Sequence, residues 1–130
     1  MLLSILIYGA PYSSQSVHTA YRFTQAAIQQ GHKIHRVFFY GESVQTASHI
    51  SAPPRDEADI YALWKTLAET HQLDLVVCIA AALKRGVIDS SEAKRHEKSA
   101  YNLAAPFILS GLGQLSEAAI VSDRLITFGD

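Results

Sequence analysis

The chain has 130 residues, enough for one core of ordinary size and too few for two. Eleven Lys and Arg stand against twelve Asp and Glu, a formal charge of −1 with the six His neutral. That near-balance argues against a protein whose main task is gripping nucleic acid, which needs a cationic surplus. Charged residues make up 18 % of the chain and apolar residues 48 %, against roughly 25 % charged in soluble proteins, so part of the surface is expected to meet another subunit.

Leu2 to Tyr8 reads as a strand buried on both faces and ended by Gly9-Ala10-Pro11. Its lack of a basic lead-in and of an A-x-A cleavage pattern argues against a targeting segment, so a soluble, cytoplasmic protein is expected. Ser13, Ser14 and Ser16 are candidate N-caps of a helix reaching Gln30, with Val17, Ala20, Tyr21, Thr24, Ala27 and Ile28 at helical spacing. Gly31 stands where a C′ residue belongs. Ile34 to Tyr40 is a second strand, and Gly41 to Arg55 a polar connection with room for one helical turn.

Asp56, Glu57 and Asp59 would place negative charge on the first turn of a helix running to His71, with Ile60, Leu63, Trp64 and Leu67 as its apolar stripe. Leu73 to Val77 is a third strand, and Cys78 to Gly86 an alanine-rich short helix closed by Lys84 and Arg85. Asp89 and Glu92 resemble a capping box for another short helix through His96. Phe107 to Leu109, Gly113 to Val121 and Arg124 to Phe128 read as strand, helix and strand. The uncharged run Ser99 to Ser116 contains Pro106, Gly111 and Gly113, which suits a buried or interface segment better than a bilayer span. Alternating strands and helices predict one α/β domain over residues 1–130, a mostly parallel sheet of about five strands flanked by helices, with the strand order unread.

In such sheets, ligands gather beyond the carboxyl ends of the strands, here at Gly9 to Ser16, Gly41 to Ser51 and the Val77–Cys78 junction. The first loop lacks the G-x-G-x-x-G spacing and a Walker lysine, so its serines support a phosphate or flavin site only weakly, and Ser110-Gly111-Leu112-Gly113 does no better. Cys78 is the one cysteine, which rules out an intrachain disulfide and a thiolate metal cluster. Two readings of it stand level: a small core hydrophobe, or a reactive thiol at a strand-to-helix corner, where backbone N–H groups favour the thiolate. His18, His32, His35, His49, His71 and His96 are scattered without the spacing of a catalytic base or a metal site. A lone nucleophilic sulfur without base or second thiol suits persulfide carriage, in which sulfur arrives and leaves by attack at S–S bonds. Lys84 and Arg85 either complement the end of the helix dipole or help receive an acidic partner.

These residues resemble a known family nearly end to end. Gly9-Ala10-Pro11-Tyr12, Val37-Phe38-Phe39-Tyr40, Asp56-Glu57-Ala58-Asp59, the block Cys78-Ile79-Ala80-Ala81-Ala82-Leu83-Lys84-Arg85-Gly86-Val87 and Leu109-Ser110-Gly111-Leu112-Gly113 are similar to the DsrE-like sulfurtransferases, above all their TusD branch. Lys84, where that branch often has Arg, and the Gly129-Asp130 tail are the departures. The resemblance implies that Cys78 bears a persulfide, with no cofactor and no metal. It further implies a cytoplasmic heterohexamer with TusB- and TusC-like subunits, a TusA-like sulfur donor, a TusE-like acceptor, and 2-thiolation of tRNA wobble uridine as the end use. Subunits of dissimilatory sulfur oxidation using the same cysteine are the alternative.

Overall fold

The computed structural model describes residues 1–129; Asp130, the end of the tail noted above, lies outside them. Five strands form one all-parallel sheet: β1 (Leu2–Ile7), β2 (Lys33–Phe39), β3 (Leu75–Cys78), β4 (Phe107–Ser110) and β5 (Arg124–Phe128), in the order β4-β3-β2-β1-β5. Between them run α1 (Ser16–Gln29), α2 (Ile60–His71), α3 (Ile79–Leu83), α4 (Ser90–Arg95) and α5 (Gly113–Val121), with a 3-10 helix over Gly41–Ala47.

The order dictates the layers. Steps from β1 to β4 all run in one direction, so right-handed crossovers carry their helices over one face; the return from β4 to β5 carries α5 over the other. Side-chain alternation in β2 agrees. Phe39 meets Trp64 of α2 edge-on on one face, while Arg36 donates to the Gln114 carbonyl and Glu117 of α5 on the other. Ile5, Ile7, Val37, Phe38, Phe39, Leu75, Val76 and Val77 are fully buried, as central strands covered on both faces require.

Helix ends depart from expectation in two places. The N-cap of α1 is Gln15, not a serine, because the Ser14 hydroxyl accepts from the Ser16 N–H at 3.1 Å within the preceding turn. Only Asp59 caps α2, accepting from Ala62 N–H at 3.1 Å; Asp56 and Glu57 precede the helix. There the Tyr12 hydroxyl accepts from Ile60 N–H and donates to the Ala58 carbonyl, both at 3.2 Å, so the loop after β1 fixes where α2 begins. The expected glycine stop of α1 holds. Gly31 has φ +88°, and the N–H groups of Gly31 and His32 close onto the carbonyls of Ile28 and Ala27.

Candidate functional site

Cys78 is the last residue of β3 and occupies the N-cap position of α3, with φ −60° and ψ 117°. Its strand runs through Leu75, Val76 and Val77, all fully buried, and the chain then turns directly into helix. No side chain caps α3, so its first-turn N–H groups have no side-chain acceptor. Cys78 itself is only 3 % exposed, yet it lines a cleft of about 420 Å3. The rim residues Tyr40, Lys84 and Leu112 are exposed, so the cleft meets solvent.

The sheet order explains why a cleft exists there. The chain leaving β3 turns onto the face of α1 and α2, and the chain leaving its neighbour β4 turns onto the face of α5. Adjacent strands whose exits diverge open a crevice at their carboxyl ends. Cys78 pairs in register with Ser110 of β4, and Gly111 and Leu112, just past that strand, form one wall. Tyr40 and Gly41, just past β2, form another, with Gly41 at φ +59°. Ile79, Ala80, Ala81, Lys84 and Arg85 of the α3 segment complete it.

One ion pair braces this wall. Arg85 Nε donates to Glu42 Oε2 at 2.7 Å and Nη1 to the Ala81 carbonyl at 3.0 Å, tying the end of α3 to the 3-10 helix. The hydrogen bond from Arg85 holds the Glu42 carboxyl below the ordinary carboxylate range. Among the described residues no histidine lines the cleft, and Cys78 is the one thiol. The arrangement is thus a single cysteine at the N-cap of a helix without a side-chain cap, in a cleft also lined by Lys84 and Arg85.

Two stretches that the sequence presents as separate loops, Tyr40-Gly41 and Gly111-Leu112, are therefore parts of the Cys78 site. The sequence marks Gly41 as the start of a carboxyl-end loop and Gly111 as part of a weak glycine-rich turn, and the strand order is needed to bring them together. The loop after β1 stands apart. It borders a smaller hollow of about 290 Å3 lined by Tyr12, Ser14, Gln15 and His18 on one side and Glu57 on the other. A carboxylate on that wall opposes a phosphate, and the Ser14 hydroxyl is engaged with Ser16.

The DsrE/DsrF-like family profile matches residues 1–128. The chain belongs to the DsrE/DsrF-like family. It is 47 % identical over 130 residues to the DsrE protein of Allochromatium vinosum, covering all of both chains. It is also 47 % identical over 124 residues to the sulfurtransferase TusD of Serratia proteamaculans, covering 95 % of this chain and 96 % of that one. The TusD homolog of Pseudomonas aeruginosa is 47 % identical over 129 residues, 99 % and 98 % of the two chains. These relatives place the chain among the sulfurtransferases, the transferase class expected from its sequence. In fold it is similar to the ychN protein of E. coli, with a TM-score of 0.79 at 19 % identity over 98 % of this chain and 99 % of that one. That likeness carries the five-stranded DsrE-like architecture. No helix among the described residues is long and apolar enough to cross a membrane.

Proposed function

We propose that this DsrE-family sulfurtransferase carries sulfur as a persulfide on Cys78. The observation that supports it most is a solitary thiol lining a solvent-reaching cleft at the divergence of β3 and β4, beside uncapped backbone N–H groups. The Cys78 thiolate attacks the terminal sulfur of a donor persulfide; a new S–S bond forms as the donor's S–S bond breaks, and the donor leaves as a thiolate. An acceptor thiolate then attacks the same sulfane sulfur and regenerates the Cys78 thiolate. Neither step requires an outside oxidant or a histidine base.

In this reading the whole 1–130 chain is one cytoplasmic subunit of a sulfur relay. A TusA-like protein donates, a TusE-like protein accepts, and the sulfur ends in 2-thiolated tRNA wobble uridine. TusB- and TusC-like subunits complete a heterohexamer. An apolar surface supports such assembly: Ala118 is the one buried residue of α5, whereas Ile120 is 83 % exposed and Leu112, Ile108 and Val121 are exposed as well. The DsrE relative, as similar as the TusD proteins, favours a second reading in which the same cysteine serves dissimilatory sulfur oxidation.

Intact-mass spectrometry after incubation with a persulfide donor tests the chemistry. The protein should gain the mass of one sulfur atom, and Cys78→Ser should lose that gain while its oligomeric state stays unchanged. Undiminished uptake by Cys78→Ser overturns the proposal. Deleting the gene separates the two pathways: loss of tRNA 2-thiouridine supports the first, and loss of sulfur oxidation with intact thiouridine supports the second.

A further inference from the structure

Two cations reach the Cys78 cleft, and they are not equivalent. Arg85 is committed to Glu42 and the Ala81 carbonyl, so its charge is neutralised within the wall. Lys84 is exposed, lines the same cleft, and has no carboxylate within 4.0 Å among the described residues. Among the described residues no acidic side chain lines the cleft, which leaves one unpaired positive charge among them.

Cys78 and Lys84 bracket the short helix α3. Ala80 and Ala81 share a face with Lys84 at i, i+4 and i, i+3 spacing. Ala80 is exposed and ends at a methyl group, while Ala81 is buried against the core. Lys84 is the C-cap residue of α3 and keeps a helical conformation, and helical side chains lean toward the N-terminal end, where Cys78 stands.

We infer that Lys84 makes this cleft selective for sulfur that arrives or departs as an anion, acting as a positioning and charge-stabilising residue for Cys78. The inference rests on the proposed sulfur carriage and says which sulfur species the cleft favours. In each transfer the attacking group and the leaving group are thiolates, so a negative charge passes through the cleft whichever way the sulfane sulfur moves. Lys84 shares the cleft with the apolar Ile79 and Leu112, and an ammonium at its mouth attracts an anion there, the more so at low salt.

Alkylation of Cys78 by iodoacetate, an anion, and by iodoacetamide, its neutral counterpart, reads this selectivity directly. Lys84→Gln should lower the ratio of the two rates roughly three- to tenfold at low salt, and Lys84→Glu further, with the difference collapsing near 1 M salt. Lys84→Arg should keep the wild-type ratio. A general loosening of the site accelerates both reagents alike and cancels in the ratio. Sulfur uptake from glutathione persulfide should fall in the same order of variants. A ratio indifferent to both Gln and Glu overturns the inference, and so does a thiol that neither reagent reaches in the folded protein. A wild-type protein that shows the lysine-dependent ratio yet takes up no sulfur sinks the persulfide reading alone.

Discussion

Arg85 and Glu42 meet at 2.7 Å across the wall of the Cys78 cleft, and their pairing sets how much charge the cleft displays. The pair is half-exposed, and such pairs contribute little to stability. Glu42→Gln should therefore leave the melting temperature nearly unchanged. It should also release the guanidinium charge and raise the iodoacetate-to-iodoacetamide rate ratio at Cys78. An unchanged ratio in Glu42→Gln, measured at neutral pH and low salt, would show that Arg85 does not contribute to the field at the thiol.

Gly41 is a point at which the cleft depends on backbone conformation. Its φ of +59° lies in the left-handed region, and an added Cβ would sit 3.4 Å from the Tyr8 carbonyl oxygen. A residue with a side chain loses roughly 1–2 kcal/mol in that conformation, whereas asparagine tolerates it better. Gly41→Ala should lower stability by about that amount in a urea titration, and Gly41→Asn by less. Equal losses would point to crowding against Tyr8 as the cause instead of backbone strain.

Much of this architecture is legible before folding, and the site only in part. Arg124–Phe128 and Gly113–Val121 stand where the sequence puts them, because element type is read from residues within one segment. Where β5 docks is a different matter. It lies beside β1 and not beside β4, and that choice is made by α5 packing on the second face, held by Arg36 to Gln114 and Glu117. No local pattern encodes contacts that far apart in the chain. Cys78 is therefore visible as a corner cysteine, while Tyr40, Gly41, Gly111 and Leu112 become its neighbours only once the strand order is known. The start of α1 is misread for a related reason: Ser14, a residue type that caps, instead accepts from Ser16 N–H in the preceding turn, whereas Asp89 caps α4 as its spacing from Glu92 suggests.

The α5 layer is anchored by charge and should be sensitive to acid. Glu117 Oε1 accepts from His35 Nε2 at 2.8 Å and from Arg36 Nη1 at 2.7 Å, and Arg36 Nε also donates to Asp74 at 2.7 Å. The bond from His35, aided by that from Arg36, holds the Glu117 carboxyl below its ordinary range. A carboxyl whose pKa is lower when folded stabilises the protein above its unfolded pKa, and that contribution disappears as pH falls through the folded value. Glu117→Gln should thus be less stable than wild type at neutral pH, with the gap closing as the pH falls below the ordinary carboxylate range. Urea midpoints of both proteins across that range measure it. A gap that stays constant with pH would assign the effect to packing. The side chain is 47 % exposed, so the gap should also shrink with added salt.

Trp64 joins the helical layer to the sheet, and its removal should be the costliest of these changes. The indole is fully buried, with Tyr21 of α1 edge-on at 5.7 Å and Phe39 of β2 edge-on at 5.5 Å between ring centroids. Phe39 in turn packs against Phe107 of β4, so the aromatic chain spans α1, α2, β2 and β4. Replacing a buried aromatic of this size by alanine costs roughly 3–5 kcal/mol, a large share of a small domain's total stability. The indole N–H has no hydrogen-bond partner among the described residues, so phenylalanine forfeits volume without breaking a polar contact. Trp64→Phe should therefore lose less than half of what Trp64→Ala loses in urea unfolding at neutral pH. Equal losses would mean that the two edge-on contacts depend on the indole itself, and that the core cannot close around a smaller ring.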